Sequence, residues 1–131
     1  MTVKIYYKGD VSMNSITFIG RLGQAPEVKK SKDGKEYVYV NIAVSRKGSD
    51  GKEQTDWIPS LFNGKSAEIL NKYVDKGGRV CVNGALRSNT YEKDGKKTTT
   101  YFVSVNTFDI IDFKEKKEES SSEETGLPFE F

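Results

Sequence analysis

The fold is decided by residues 65–78, KSAEILNKYVDKGG, where the apolar residues change to helical spacing. The residues that share one face of the predicted helix are Ala67, Leu70, Tyr73 and Val74. Two glycines follow at 77–78, and glycine is the residue most often found just after the end of a helix. We therefore predict one short helix over residues 65–74.

Stretches rich in β-branched and aromatic residues lie on both sides of this helix. Asp-Gly pairs at 33–34, 50–51 and 94–95 are strong signals for hairpin turns between them. The predicted strands are Ser15–Leu22, Tyr37–Arg46, Thr55–Asn63, Arg79–Glu92 and Lys97–Ile111. Three strands, a helix and two strands are the order of the OB-fold, so we predict an all-β protein, a five-stranded Greek-key barrel with one short helix between strands 3 and 4. Other small barrels fit the periodicity as well, but most of them lack this helix.

The composition excludes several classes of function. The 131 residues contain no histidine, which removes imidazole bases, Ser-His-Asp triads and histidine-ligated metals. Cys81 is the single cysteine, so an internal disulfide and a CxxC metal clip are excluded as well. We therefore expect a protein that is not an enzyme and that uses no cofactor and no metal.

The pattern of hydropathy predicts neither a membrane helix nor a signal peptide. No apolar run approaches the ~20 residues of a membrane helix, and the first ten residues lack the apolar centre of a signal peptide. A lone cysteine fits a reducing compartment. We expect a soluble protein of the cytoplasm.

The charges divide the chain into two parts. The last 18 residues, 114–131, carry six Glu and three Lys, whereas the preceding part carries 18 basic and 13 acidic residues. The formal net charge of +2 for the whole chain therefore hides a basic body and an acidic end. The low apolar content of the end predicts a disordered tail.

Alternation along the strands predicts which residues face outwards. In the second strand, Val38, Val40, Ile42 and Val44 form the core face, and Tyr37 and Tyr39 lie on the opposite face. In the fourth strand, Val80, Val82, Gly84 and Leu86 are predicted to point inwards, and Cys81, Asn83, Ala85, Arg87, Asn89 and Tyr91 outwards. Trp57 shares its face of the third strand with Pro59 and Asn63. The outer tyrosines can serve as a stacking platform or as a subunit contact.

Basic residues lie close to these aromatic residues in the sequence, and many of them fall at predicted hairpin tips. Unpaired bases offer flat faces for stacking, and phosphates follow a cationic groove. Aromatic and cationic residues together on an OB scaffold therefore favour binding of a single-stranded nucleic acid. Duplex DNA does not offer the faces of its bases in this way.

Several short motifs follow one another from Met13 to Arg87. They are MNSITFIGRLG at 13–23, PEV at 26–28, NIAVSR at 41–46, EQTDWIP at 53–59, GKSAE at 64–68, KGGRV at 76–80 and GALR at 84–87. In this order and spacing they resemble the bacterial and phage single-stranded-DNA-binding protein family. The resemblance covers roughly residues 13–112 and the tail.

The resemblance implies an OB-fold homotetramer that coats single-stranded DNA without sequence preference in replication, recombination and repair, associated with the nucleoid of a bacterial cell. Trp57 and Tyr91 fall on positions where the family stacks bases. Two further aromatic positions of the family fall on Asn63 and near Gly48. The resemblance therefore implies weaker or differently distributed binding, unless Tyr37 and Tyr39 compensate.

The resemblance also divides the chain. Chains of this family begin near the position of Met13, which leaves residues 1–12 as an N-terminal extension, 13–113 as the OB-fold domain and 114–131 as the acidic tail. In the family the tip of this tail binds replication, recombination and repair proteins. Here the tip residues are Leu127, Pro128, Phe129 and Phe131. The free carboxylate belongs to Phe131 and not to the Phe that follows Pro.

The sequence thus predicts a single-stranded-DNA site without catalytic residues. Its stacking residues are Trp57, Tyr91, Tyr39 and Tyr37, and its phosphate contacts are Arg87, Arg46, Lys47 and Lys93. Two alternatives stay open: an RNA-binding OB module, and a protein-interaction adaptor whose tyrosine face is a partner surface.

Overall fold

The structure, a computed structural model, describes residues 12–114. Its elements are β1 (Ile16–Leu22), β2 (Lys29–Lys30), β3 (Glu36–Lys47), β4 (Glu53–Asn63), α1 (Lys65–Tyr73), β5 (Arg79–Lys93) and β6 (Lys96–Ile110). The five long strands and the helix are confirmed, each boundary within two residues of its prediction. The two-residue strand β2 was not predicted. Apart from Ser12 and Lys114, the predicted extension and tail lie outside the described residues.

The strands close into a barrel. Their order is β1-β5-β6-β4-β3-β2, and every pairing is antiparallel except the short parallel contact of β4 with β6. β1 also pairs with β3 through Arg21↔Ala43 and Leu22↔Ile42, which joins the two sides of the sheet. Gly20 lies where β1 passes from β5 to β3, and a Cβ there would be 2.6 Å from the carbonyl oxygen of Ala43. The OB-fold prediction is therefore confirmed.

The core fills the barrel from its strands and from the helix. The fully buried side chains include Leu22, Val38, Val40, Ile42, Phe62, Val80, Val82 and Val103. Phe62 meets Phe108 edge to face at 5.1 Å between ring centroids, a favoured arrangement of aromatic pairs. Ala67, Leu70 and Val74 bring the helix against this core. Val44, predicted for the core face, is only half-buried.

Beyond the barrel, β5 and β6 continue as a two-stranded arm, residues 86–102, which pairs as far as Lys93↔Lys96. Leu86, predicted to point inwards, is on the inner face, but its side chain is 45% exposed. Leu86 pairs with the buried Val103 and so shares the inner face. Pairing of β5 with β1 has already ended at Gly84, and the barrel no longer covers that face.

A β-bulge in β6 keeps the alternation of β5 intact. Asn83 pairs with Thr107 and Gly84 with Val105, so Asn106 is the additional residue. Ala85, predicted to face outwards, is only 9% exposed.

Within residues 12–114, no helix has the length and apolar character needed to cross a membrane.

Candidate nucleic-acid interface

The outer face of β3 and β4 carries the first aromatic residues of the site. Trp57 pairs with Ala43, and Leu61 pairs with Tyr39. Directly paired residues of neighbouring strands lie on the same face of a sheet, so Trp57 and Tyr39 share the outer face of the barrel. Trp57 is 59% exposed and Tyr39 is 51% exposed. Their rings are therefore open to a ligand.

β6 extends this face with an aromatic residue, Phe102, that is not among the predicted site residues. Phe102 meets the ring of Tyr39 at 6.3 Å between centroids, with an angle of 65° between the ring planes. Phe102 also pairs with Arg87 of β5. Alternation with the inward Val103 and Val105 places Phe102 on the outer face, and this alternation is the sequence signal that identifies it.

Tyr91 continues the outer face along the arm. It pairs with Thr98 and is 47% exposed. Alternate residues of a strand share a face, so Tyr91 lies on the same face of the arm as Arg87. The structure thus brings Trp57, Tyr39 and Tyr91 to one face, with the arm projecting from the barrel.

Tyr37 is less accessible than Tyr39. It is half-buried and pairs with Asn63. Together with Tyr39 it lines a cleft of about 500 Å³ whose other residues are Gln24, Ala25, Glu27, Lys29 and Val40. A ligand can therefore contact Tyr37 only from within this cleft.

The four predicted cations do not all reach the aromatic face. Arg46 alternates with the outward Ser45 and Lys47, so its side chain leaves β3 on the opposite side. There its Nε donates a hydrogen bond to Oδ2 of Asp56 at 2.8 Å. The structure therefore separates Arg46 from Trp57, because one step along a strand reverses the face.

The remaining three cations are placed differently. Arg87, Lys47 and Lys93 are exposed, and in the described part of the chain they form no ion pair. By alternation, Lys47 shares the face of Tyr39 on β3, and Arg87 and Lys93 share the face of Tyr91 on β5. These three side chains are free to meet a polyanion. The predicted tail-tip residues Leu127, Pro128, Phe129 and Phe131 lie outside the described residues.

The strongest ion pair of the described residues is that of Arg79 with Asp112. Arg79 donates from Nε and Nη2 to Asp112 at 2.8 and 3.1 Å, and its backbone N–H donates to the same carboxylate at 3.1 Å. The hydrogen bond from Arg79 lowers the pKa of Asp112, and the same contact raises the pKa of Arg79. This pair joins the start of β5 to the segment after β6, which is a structural role.

A closed five-stranded barrel with an exposed aromatic and cationic wall places this protein in the OB-fold class. A model of the Single-strand binding protein family matches residues 13–111, and the chain belongs to this family.

Relatives and a solved structure agree with this assignment. The chain is 40% identical over 117 residues to the single-stranded DNA-binding protein of Fusobacterium nucleatum, covering 86% of this chain and 74% of that protein. It is 33% identical to single-stranded DNA-binding protein 1 of Synechocystis sp., covering 85% and 93%. The structure titled "Plasmodium falciparum SSB complex with ssDNA" has a TM-score of 0.68 and 26% identity, covering 82% of this chain and all of that chain.

Proposed function

We propose that this protein is a non-enzymatic, sequence-independent binder of single-stranded DNA that protects exposed strands during replication, recombination and repair. The observation that carries the proposal is the continuous outer face on which exposed Trp57, Tyr39 and Tyr91 lie with Arg87. Membership of the family and the names of the relatives support it.

The DNA strand binds by base stacking and by charge attraction. Bases stack on Trp57 and Tyr91, with Tyr39 and then Tyr37 as secondary platforms, and each stacked base is worth about 1–3 kcal/mol. Arg87, Lys47 and Lys93 contact phosphates. Every base has a flat face, so this mode of binding does not depend on sequence.

The assembly proposed for the chain is a homo-oligomer, a tetramer by its likeness to the family. In the same way, the tail tip of Leu127, Pro128, Phe129 and Phe131 recruits replication, recombination and repair proteins through apolar contacts. Light scattering of the full chain measures the oligomeric state, and a monomer at micromolar concentration would contradict it.

Binding of labelled oligonucleotides tests the proposal directly. Fluorescence anisotropy with matched oligo(dT), oligo(dC) and oligo(rU) is measured on the full chain at low and moderate salt. The proposal expects similar affinity for both deoxy strands and a decrease with salt whose logarithmic slope is about −0.7 for each phosphate contacted. Preference for oligo(rU) would favour the RNA-binding alternative, and no binding to any strand would favour the adaptor.

A further inference from the structure

Gly23 lies directly beneath the edge of the Trp57 indole. A Cβ built on Gly23 would be 2.6 Å from Cζ3 of Trp57 and 3.5 Å from its Cε3. The same Cβ would be 3.0 Å from the carbonyl oxygen of Asn41. Trp57 belongs to β4, and Gly23 follows β1 on the far side of β3. The indole therefore reaches across β3, beginning beside Ala43, its partner in the β3–β4 pairing.

The backbone of Gly23 does not require glycine. Its φ is not positive, unlike that of Gly34, Gly51 or Gly64, so an L side chain is compatible with its conformation. The indole is the closest obstacle to a side chain here, at 2.6 Å, and the carbonyl oxygen of Asn41, at 3.0 Å, allows only a tight contact.

Gly23 is also held in place and cannot move aside to admit a side chain. Its N–H donates to the carbonyl oxygen of Asn41 at 2.8 Å, and the N–H of Asn41 donates to Oε1 of Gln24 at 3.3 Å. The preceding residue, Leu22, donates its N–H to Gly78 at 3.0 Å. The backbone beneath the indole is therefore fixed on both sides, and the indole is the part that would shift.

We propose that Gly23 is a positioning residue for the Trp57 platform. Because Gly23 has no Cβ, the indole can lie flat across β3 with its free face towards solvent. In this orientation it can receive a base. This inference rests on the proposed function for its consequence in DNA binding. The placement of the ring itself can be tested without DNA.

The test is a mutant cycle of Gly23→Ala and Trp57→Phe. We expect Gly23→Ala to weaken binding of oligo(dT) about tenfold, which lies within the range for losing one stacked base. A phenyl ring lacks the outer ring of indole that meets Gly23, so in the Trp57→Phe background the same alanine should change affinity less than about twofold. An equal loss in both backgrounds would mean that Gly23 acts through the backbone, and it would overturn the proposal. If Gly23→Ala alone does not fold, a folded double variant with the affinity of Trp57→Phe supports the proposal, and an unfolded one overturns it.

The free protein supplies a second readout. Trp57 is the only tryptophan, so acrylamide quenching reports its exposure, and we expect stronger quenching in Gly23→Ala. Unchanged quenching would overturn the proposal. If Trp57→Ala binds DNA like the wild type, the proposed function fails in its stacking step, while quenching still decides the role of Gly23.

Gly48→Ala is the matched control. The φ of Gly48 is also not positive, and its new methyl group would meet the side chains of Gln54 and Asp50. Because the side-chain end of Gln54 can move away, affinity and quenching should stay at the wild-type values. A loss equal to that of Gly23→Ala would show a general effect of alanine in these loops and would overturn the proposal.

Discussion

At the residue scale, the arm provides a matched pair of tyrosines. Tyr91 and Tyr101 are both exposed, at 47% and 58%. Tyr91 pairs with Thr98 on the face of Arg87, whereas Tyr101 pairs with Ser88 on the opposite face. Only the face of the arm that carries Tyr91 continues the outer face that carries Trp57. The two tyrosines therefore separate the contribution of the face from that of an exposed ring as such.

We expect Tyr91→Ala to weaken oligo(dT) binding by about 1–3 kcal/mol, the value of one stacked base. Tyr101→Ala should leave the affinity close to that of the wild type. Fluorescence anisotropy on both variants provides the comparison. Equal losses would mean that the strand uses both faces of the arm.

A second matched pair consists of Arg87 and Arg46. Arg87 lies on the aromatic face, and Arg46 is paired with Asp56 on the other side of β3. We expect Arg87→Ala to reduce the magnitude of the salt slope of binding by about 0.7, the contribution of one phosphate contact. The slope of Arg46→Ala should match the wild type. A reduced slope for Arg46→Ala would mean that Arg46 contacts phosphates, as its sequence position predicts.

At the element scale, the spacing of apolar residues was sufficient to predict α1 and the five long strands. It could not show where the barrel ends and the arm begins. That limit depends on the neighbours of β5, since pairing with β1 ends at Gly84 while pairing with β6 continues to Lys93. Leu86 therefore lies on the inner face, as its alternation predicts, and is nevertheless exposed. β2 has only two residues, too few for any periodicity.

Among residues 12–114, the contact between the start of β5 and the segment after β6 shifts the pKa values of Arg79 and Asp112. The lowered pKa of Asp112 means that its ionised form stabilises the folded state. This stabilisation is present above the ordinary aspartate pKa of about 3.9 and is lost as the pH falls through the lowered value. Asp112→Asn should therefore have a lower Tm than the wild type at neutral pH, and the difference should disappear as the pH falls below the lowered pKa of Asp112. A constant difference in Tm across this pH range would contradict the assignment.

At the scale of the whole molecule, the sequence predicted a basic body with an acidic end, and alternation predicted an outer aromatic face. Which side chains meet on that face could not be predicted, because it depends on the register between strands far apart in the chain. Phe102 reaches Tyr39 only through the short parallel pairing of β4 with β6. Gly23 reaches Trp57 only because β1 closes the barrel on β3.

The most direct test of the central claim is the emission of Trp57 when the full chain is titrated with oligo(dT) at low salt. The account predicts strong, saturable quenching that reverses as salt is added, because a base stacks on the exposed indole and the phosphates compete with salt ions for the cations. Emission that stays unchanged at saturating oligo(dT), while anisotropy of the labelled strand reports binding, would place the DNA elsewhere on the molecule and contradict the claim.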